Sequence, residues 1–192
     1  MKRIRRVLGR KDEGNAGIVI CGMFTLIIVA LFGVFVMFQM VIATEAESVQ
    51  DDVTLSSLAV YKDVDINKFI DNNELEITDV NSAVQTFKYY LSKNMKLDLN
   101  LSPIGGSVAS SQVTINEFTI YNVRGNTAEI LTYNNGNFTE SKVENMILNP
   151  VKTSNGSIVK NTTVHATISY NVRLLFGQES KVTTSVDTDI VK

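Results

Sequence analysis

Residues 14–44 read GNAGIVICGMFTLIIVALFGVFVMFQMVIAT, and this stretch decides how the rest of the chain is arranged. It contains no charged residue, because the last charge before it is Glu13 and the next is Glu45. At about 1.5 Å of rise per helical residue, its apolar part, residues 17–42, is longer than the roughly 30 Å hydrocarbon core of a bilayer. Because a backbone in lipid must satisfy its own hydrogen bonds, we predict one transmembrane helix over residues 14–44.

The charges on either side of this stretch predict its orientation. Residues 1–13 are basic, whereas the part of the chain after residue 44 is acidic on balance. The basic side chains of the first segment are Lys2, Arg3, Arg5, Arg6, Arg10 and Lys11. Since positively charged flanks stay in the cytoplasm, we expect a cytoplasmic N-terminal tail and an extracytoplasmic C-terminal part, in a single-pass protein of the cell membrane. The acidic outer part argues against a nucleic-acid partner.

A cleaved secretory signal is the alternative interpretation of the N-terminus. Val41 and Ala43 would suit cleavage after Ala43, but the apolar core of a signal peptide normally spans only about 7–15 residues. A retained anchor is therefore the favoured interpretation. The single cysteine, Cys21, lies inside the apolar stretch, so the chain can form neither an intrachain disulfide nor a cysteine metal cluster.

Small residues in the predicted membrane helix would allow another helix to approach closely in lipid. Ala30 and Gly33 are three residues apart and therefore share one helix face. This pattern suggests helix–helix contacts in the bilayer. The alternative is that glycine is simply common in membrane helices.

Residues 45–62 are predicted to continue the membrane helix as an amphipathic stalk. Residues 45–61 contain neither glycine nor proline. One helical stripe is formed by the apolar residues Ala46, Val49, Val53 and Val60. Such a stripe packs on a core, so we expect the stalk to lie against a head formed by residues 63–192. The alternative is a separate helix that follows a short joint.

The head is predicted to have an α+β fold, with a short helix followed by an antiparallel sheet. The helix is expected at residues 79–94, where Thr78 or Asp79 can cap its first free N–H groups. Its amphipathic repeat is formed by Val80, Ala83, Val84, Phe87, Leu91 and Met95.

After the loop of residues 97–111, the apolar period changes from helical to alternating, which is typical of β-strands. Strands are predicted at residues 112–121, 127–133, 138–143, 163–174 and 179–191, and residues 147–151 are ambiguous because of Pro150. A shift of phase at Asn116 and Glu117 predicts a β-bulge in the first strand. Residues 134–137, NNGN, predict a hairpin turn, and the last two strands should pair as an antiparallel hairpin.

Side chains that could carry chemistry are few. His165, the only histidine, falls among the polar residues of its alternating strand, so we predict a solvated surface position. Without a second histidine, zinc sites built from histidine and cysteine are excluded in practice. We therefore expect no enzymatic activity, no cofactor, and no catalytic, cofactor-binding or metal-binding residue.

Carboxylates occur in three close pairs, Asp51/Asp52, Asp63/Asp65 and Asp187/Asp189. The last pair should point to one face of its strand, since the side chains of a strand alternate. The second pair could form a weak calcium site, because oxygen atoms are the ligands of calcium. Solubilising surface charge is the preferred interpretation of this second pair.

The order of a basic tail, an apolar helix, an amphipathic continuation and a small α+β head resembles bacterial pilin-like proteins. The likeness is greatest to the TadE/TadG-like components of tight-adherence pilus systems. It is carried by Glu13-Gly14-Asn15-Ala16 at the start of the helix and by residues 38–61 that continue it. The resemblance implies a pilin-like fold, a role as pseudopilin or assembly component at the cell envelope, and other pilus or secretion proteins as partners.

Three functions follow from these observations. The first is a membrane-anchored structural component of a pilus or secretion assembly that acts through protein–protein contacts. The second is a membrane-tethered module that binds or senses an extracytoplasmic ligand through loops such as residues 99–111. The third, a tethered enzyme, is the least favoured, because the sequence offers no catalytic constellation.

Overall fold

The computed structural model describes residues 2–72, 74–134, 136–174 and 177–189. The chain divides into two compact units, Met1–Glu45 and Ala46–Lys192. The first helix, α1 (Lys2–Ala59), is continuous, and a 3-10 turn over Val60–Asp63 follows it. The prediction that the membrane helix continues without a joint is therefore confirmed.

The apolar part of α1 is not buried by the residues that the structure describes. The helical stretch Ala16–Asp63 is long and apolar enough to span a membrane, and its most apolar window has a mean hydropathy of 2.8 with none of it buried. Large side chains along it, including Leu31 and Phe32, are about two-thirds exposed. The helix thus has the length and composition of the transmembrane segment that the sequence predicts.

The last turns of α1 form part of the core of the second unit. Val49, Val53 and Val60 are fully buried, as the stripe in the sequence predicts. Ala46 of the same stripe is exposed, because it precedes the first turn that packs on the head. A short helix, α2 (Ile66–Asn72), follows within residues 62–79, which the sequence predicts to be only a connection rich in Asp and Asn.

The third helix, α3 (Val80–Asn94), confirms the predicted amphipathic helix. The side chain of Asp79 caps it by accepting a hydrogen bond of 2.9 Å from the backbone N–H of Ser82. The start of α3 lies beside the 3-10 turn that follows α1, since the Ser82 hydroxyl donates to Asp63. Its other end lies beside an earlier turn of α1, where the Asn94 amide donates to the Asp52 carbonyl. The two helices therefore run antiparallel within the head.

Five strands form one antiparallel sheet in the order β3-β2-β1-β4-β5. Their bounds are β1 Thr114–Arg124, β2 Thr127–Asn134, β3 Asn137–Val143, β4 Thr163–Arg173 and β5 Glu179–Asp189. The register shifts between Ile115 and Glu117, which confirms the predicted bulge. Asn135 of the predicted turn and residues 190–191 of the last predicted strand lie outside the described residues.

One face of the sheet packs against α1 and α3 to form the main core. The rings of Phe87 on α3 and Phe118 on β1 lie 5.1 Å apart, at the centre of this core. The alternation of β4 supplies Val164, Ala166, Ile168 and Tyr170, all of which are buried. The alternation of apolar and polar residues along β4 was therefore sufficient to identify this face.

The other face of β1, β2 and β4 is covered by residues 144–162, which connect β3 to β4. Val151 and Val159 of this covering segment pack against Tyr121 and Ala128 in a second, smaller core cluster. The covering segment, all of which the structure describes, forms no strand of the sheet, although Lys152 and Ile158 form an isolated β-bridge. As a result, polar side chains on this face of β4 are buried as well.

Candidate functional site

The main cluster of polar side chains lies beneath the covering segment and is centred on His165. The predicted surface position of His165 is wrong, because its side chain is fully buried. Its Nδ1 lies 2.6 Å from a carboxylate oxygen of Asp187, which occupies the directly opposite position on β5. The strand does have one polar face, as predicted, but residues 144–162 cover this face and exclude solvent from it.

The second ring nitrogen of His165 is also engaged. If Nδ1–H donates to Asp187, Nε2 is left to accept from the hydroxyl of Thr167, which lies 3.1 Å away. The same hydroxyl lies 2.7 Å from that of Ser185. The order hydroxyl, imidazole, carboxylate is that of a nucleophilic triad. Here, however, the imidazole is fully buried and the hydroxyl is already paired with Ser185, so the arrangement is typical of a structural network.

The covering segment contributes its own hydroxyl groups to this cluster. Thr153 donates to Asp187 over 2.8 Å, and Ser154 donates to Glu117 over 2.7 Å. Glu117 also lies 3.9 Å from Nε2 of His165. These hydrogen bonds join the covering segment to β1 and β5, so the cluster holds this segment against the sheet.

The electrostatics of the cluster favour a charged carboxylate. Burial by itself would raise the pKa of Asp187, but hydrogen bonds from His165, Thr153 and Ser157 outweigh it and lower the pKa. Burial, with the negative charges of Glu117 and Asp187, raises the pKa of Tyr121 to about 12. Tyr121 is therefore neutral at ordinary pH, and Asp187 is an acceptor for the groups around it.

A second polar cluster lies at the end of the sheet where β1 turns into β2. Glu76 is fully buried and pairs with both Arg124 and Lys68. Nη2 of Arg124 lies 2.7 Å from Glu76 and 3.2 Å from Glu129. Burial would raise the pKa of Glu76, whereas its hydrogen bonds to Arg124 and Lys68 lower it.

The buried amide of Asn122 fixes the same segment. Its Oδ1 accepts from the backbone N–H of Ile77 over 2.9 Å, and its Nδ2 donates to the carbonyl of Ile77 over 3.0 Å. A side chain that pairs with both backbone groups of one residue takes the place of a β-strand partner. The cluster therefore positions the segment that leads into α3.

Two of the three carboxylate pairs of the sequence have separate partners, which are different for each carboxylate. Asp63 accepts from the hydroxyl of Ser82, and Asp65 accepts from the first backbone N–H groups of α2. Asp187 and Asp189 do lie on one face of β5, but each binds a different side chain, His165 and Thr163. Within the described part of the chain, no group of three or more His, Cys, Asp or Glu side chains could hold a metal ion.

Two depressions of the head are lined by other residues than those of the two clusters. One, of about 540 Å³, is lined by the start of α3 and by Leu131, Phe138 and Glu140. Another, of about 440 Å³, is lined by Lys88, Tyr133 and the loop after α3. The hydrogen bonds and ion pairs of the two polar clusters therefore stabilise the fold.

Comparison with known proteins gave no match: no family model, no curated protein and no solved structure resembles this chain significantly.

Proposed function

We propose that the chain is a membrane-anchored, pilin-like component of a pilus or secretion assembly that acts through protein–protein contacts. The observation that carries this proposal is α1, whose apolar residues are uncovered while its last turns belong to the core of the head. A long apolar helical surface is stable only where lipid or other apolar helices cover it. In an envelope assembly built from such helices, both lipid and neighbouring helices would cover this apolar surface.

The charge distribution supports the orientation in this proposal. The basic residues before the apolar stretch favour the cytoplasmic side, so the head, Ala46–Lys192, would lie outside the cell membrane. The resemblance to TadE/TadG-like proteins adds the type of assembly. It rests on the start of the helix and on its amphipathic continuation.

Exposed apolar side chains on the head support a contact function. Ile66, Phe69 and Ile70 lie on one face of α2, and Ile147 and Leu148 form a second exposed group in the covering segment. Of these, Ile147 is the most exposed, at 80 %. Grouped apolar residues on a surface mark interaction sites more often than single ones do.

Gene deletion and complementation in the producing bacterium test the proposal. Deletion should abolish pilus formation or secretion, and the wild-type chain should restore it. Leu31→Arg, which places a charge at the middle of the apolar stretch and costs about 3 kcal/mol of insertion free energy, should not restore function. The matched variant Leu31→Ala should restore it.

A second pair of variants tests the contacts of the head. Ile70→Asp on the exposed face of α2 should impair assembly without unfolding the head, whereas Lys181→Asp on β5 should not. A deletion strain that keeps its pili and its secretion would overturn the proposal. The depression of about 540 Å³ beside α3 would then favour the alternative, a tethered ligand-binding module.

A further inference from the structure

The loop after α3 presents two apolar side chains in a fixed conformation. Leu99 is 84 % exposed and Ile104 is 54 % exposed. Both belong to residues 97–107, which we call the Leu99 loop. Exposed apolar residues at a loop tip are costly in water, so the contacts that hold them outward need an explanation.

Hydrogen bonds within the loop fix the direction of Leu99. The carboxylate of Asp98 accepts from the backbone N–H groups of Asn100 and Ser102, both at 2.8 Å. Leu101 adopts a left-handed conformation with φ 60° and is buried, so the turn sends Leu101 inward and leaves Leu99 at the tip. The charge of Asp98 is thereby directed at the loop's own backbone.

Further hydrogen bonds fix the base of the loop, and with it Ile104. The backbone N–H of Ile104 donates to the carbonyl of Lys96 over 3.0 Å. The hydroxyl of Ser107 donates to the carbonyl of Met95 over 2.8 Å. The loop that follows α3 is therefore held by its own hydrogen bonds, and its two exposed apolar residues belong to this hydrogen-bonded structure.

The Leu99 loop begins beside the first turns of α1 that belong to the head. Ser48, Val49 and Asp52 line a small depression together with Met95 and Gly106. From Ala46 to Asp52 a helix rises only about 9 Å. In the sequence, Glu45 is the first charge after the apolar stretch, so in an anchored chain the water–lipid boundary would fall close to Glu45.

We propose that the Leu99 loop inserts Leu99 and Ile104 into the lipid interface of the membrane that holds α1. The partner is the boundary between lipid headgroups and acyl chains, which accommodates leucine and isoleucine. The apolar contact of two side chains is too weak to recruit a free protein, but a tethered head meets the bilayer at high effective concentration. This inference rests on the membrane anchoring of the proposed function and adds a second point of contact.

Fluorescence quenching on the full-length chain in lipid vesicles tests the inference. Cys21→Ser removes the single cysteine, and Leu99→Cys or Ile104→Cys then carries an environment-sensitive dye. Matched controls are Ile70→Cys and Leu148→Cys, which are also strongly exposed but lie on α2 and on the covering segment. Each labelled chain is treated with a quencher attached to lipid and with iodide in the aqueous phase.

We expect dyes at residues 99 and 104 to be blue-shifted and quenched from lipid, and both control dyes to be quenched by iodide alone. Adding Leu99→Asp should abolish the blue shift at residue 104. Equal iodide quenching at all four positions, with the chain still resistant to carbonate extraction, would overturn this inference and leave the anchor intact. Shielding from both quenchers would overturn it too, because a protein would then cover the loop. A chain that carbonate extracts would overturn the anchor and the inference together.

Discussion

Nδ1 of His165 lies 2.6 Å from a carboxylate oxygen of Asp187, and the two residues face each other in the register of β4 and β5. The register of the two strands therefore places the two side chains next to each other. From the covering segment, the hydroxyl of Thr153 donates a further hydrogen bond to Asp187. One carboxylate thus links two strands and the segment that buries them.

Acid is expected to destabilise the head through Asp187. Its pKa lies below the ordinary value of 3.8, since the hydrogen bonds that it accepts outweigh its burial. A carboxylate with a lower pKa in the folded state contributes stability above its unfolded pKa and loses it as pH falls through the folded one. The free energy of unfolding in urea should therefore fall below about pH 4, and less steeply in Asp187→Asn than in wild type.

The exposed variant Asp71→Asn is the control for this titration and should follow the wild-type curve. Parallel curves for wild type and Asp187→Asn would show that Asp187 does not carry the predicted share of the acid sensitivity.

Loss of Arg124 is expected to destabilise the head strongly. Glu76 is fully buried, and without Arg124 it keeps only Lys68 as a cationic partner. Leaving a buried charge without part of its compensation makes Arg124→Met destabilising by about 2–3 kcal/mol. Lys142→Met breaks an exposed ion pair with Glu144 and should cost less than about 1 kcal/mol. Urea unfolding measures both, and equal losses would contradict the prediction.

Packing of α1 on the head can be tested by two variants of one helix. Val53 is fully buried, whereas Leu55, two residues later, is about half exposed. Val53→Asp should lower the free energy of unfolding by about 3 kcal/mol or more, because it buries an unpaired carboxylate. Leu55→Asp should change it by less than about 0.5 kcal/mol. Thermal unfolding followed by near-UV circular dichroism distinguishes the two, and a similar effect of both would place Val53 outside the core.

The turn between β2 and β3 depends on one glycine. Gly136 has φ +90°, a conformation that side chains with a Cβ rarely adopt, although no neighbouring atom would obstruct one. Gly136→Ala should therefore destabilise the hairpin by about 1–2 kcal/mol through backbone strain alone. Gly105 is equally open but does not have a positive φ, so Gly105→Ala should be nearly neutral. Unfolding midpoints give the comparison, and a neutral Gly136→Ala would show that this turn relaxes.

Regular periods explain which parts of the fold could be predicted from the sequence. The valine stripe at Val49 and Val53, the helix capped by Asp79 and the alternation of β4 each repeat along one element, so local sequence was sufficient. The bulge at Glu117 was also visible, since it shifts the phase of a strand.

The parts that could not be predicted depend on contacts between distant segments. The alternation of β4 shows which face is apolar, but not that residues 144–162 cover the polar face and bury His165. Val151 and Val159 were the available signal, although apolar residues in an irregular segment do not name their partners. Likewise, no residue near Glu76 in the sequence indicates its burial, because its partner Arg124 lies on a strand far along the chain.

The pairing of β1 with β4 has a consequence for the order in which the head can fold. Thr114 pairs with Ser169, so the centre of the sheet is closed by residues that are synthesised much later. Val49 shares its core cluster with Ile168 and Val186, which belong to β4 and β5. A nascent chain that has reached only β3 consequently carries half of a core with nothing to cover it, and sheets closed by distant strands form slowly. During synthesis, this incomplete and exposed core is the surface to which a chaperone would bind.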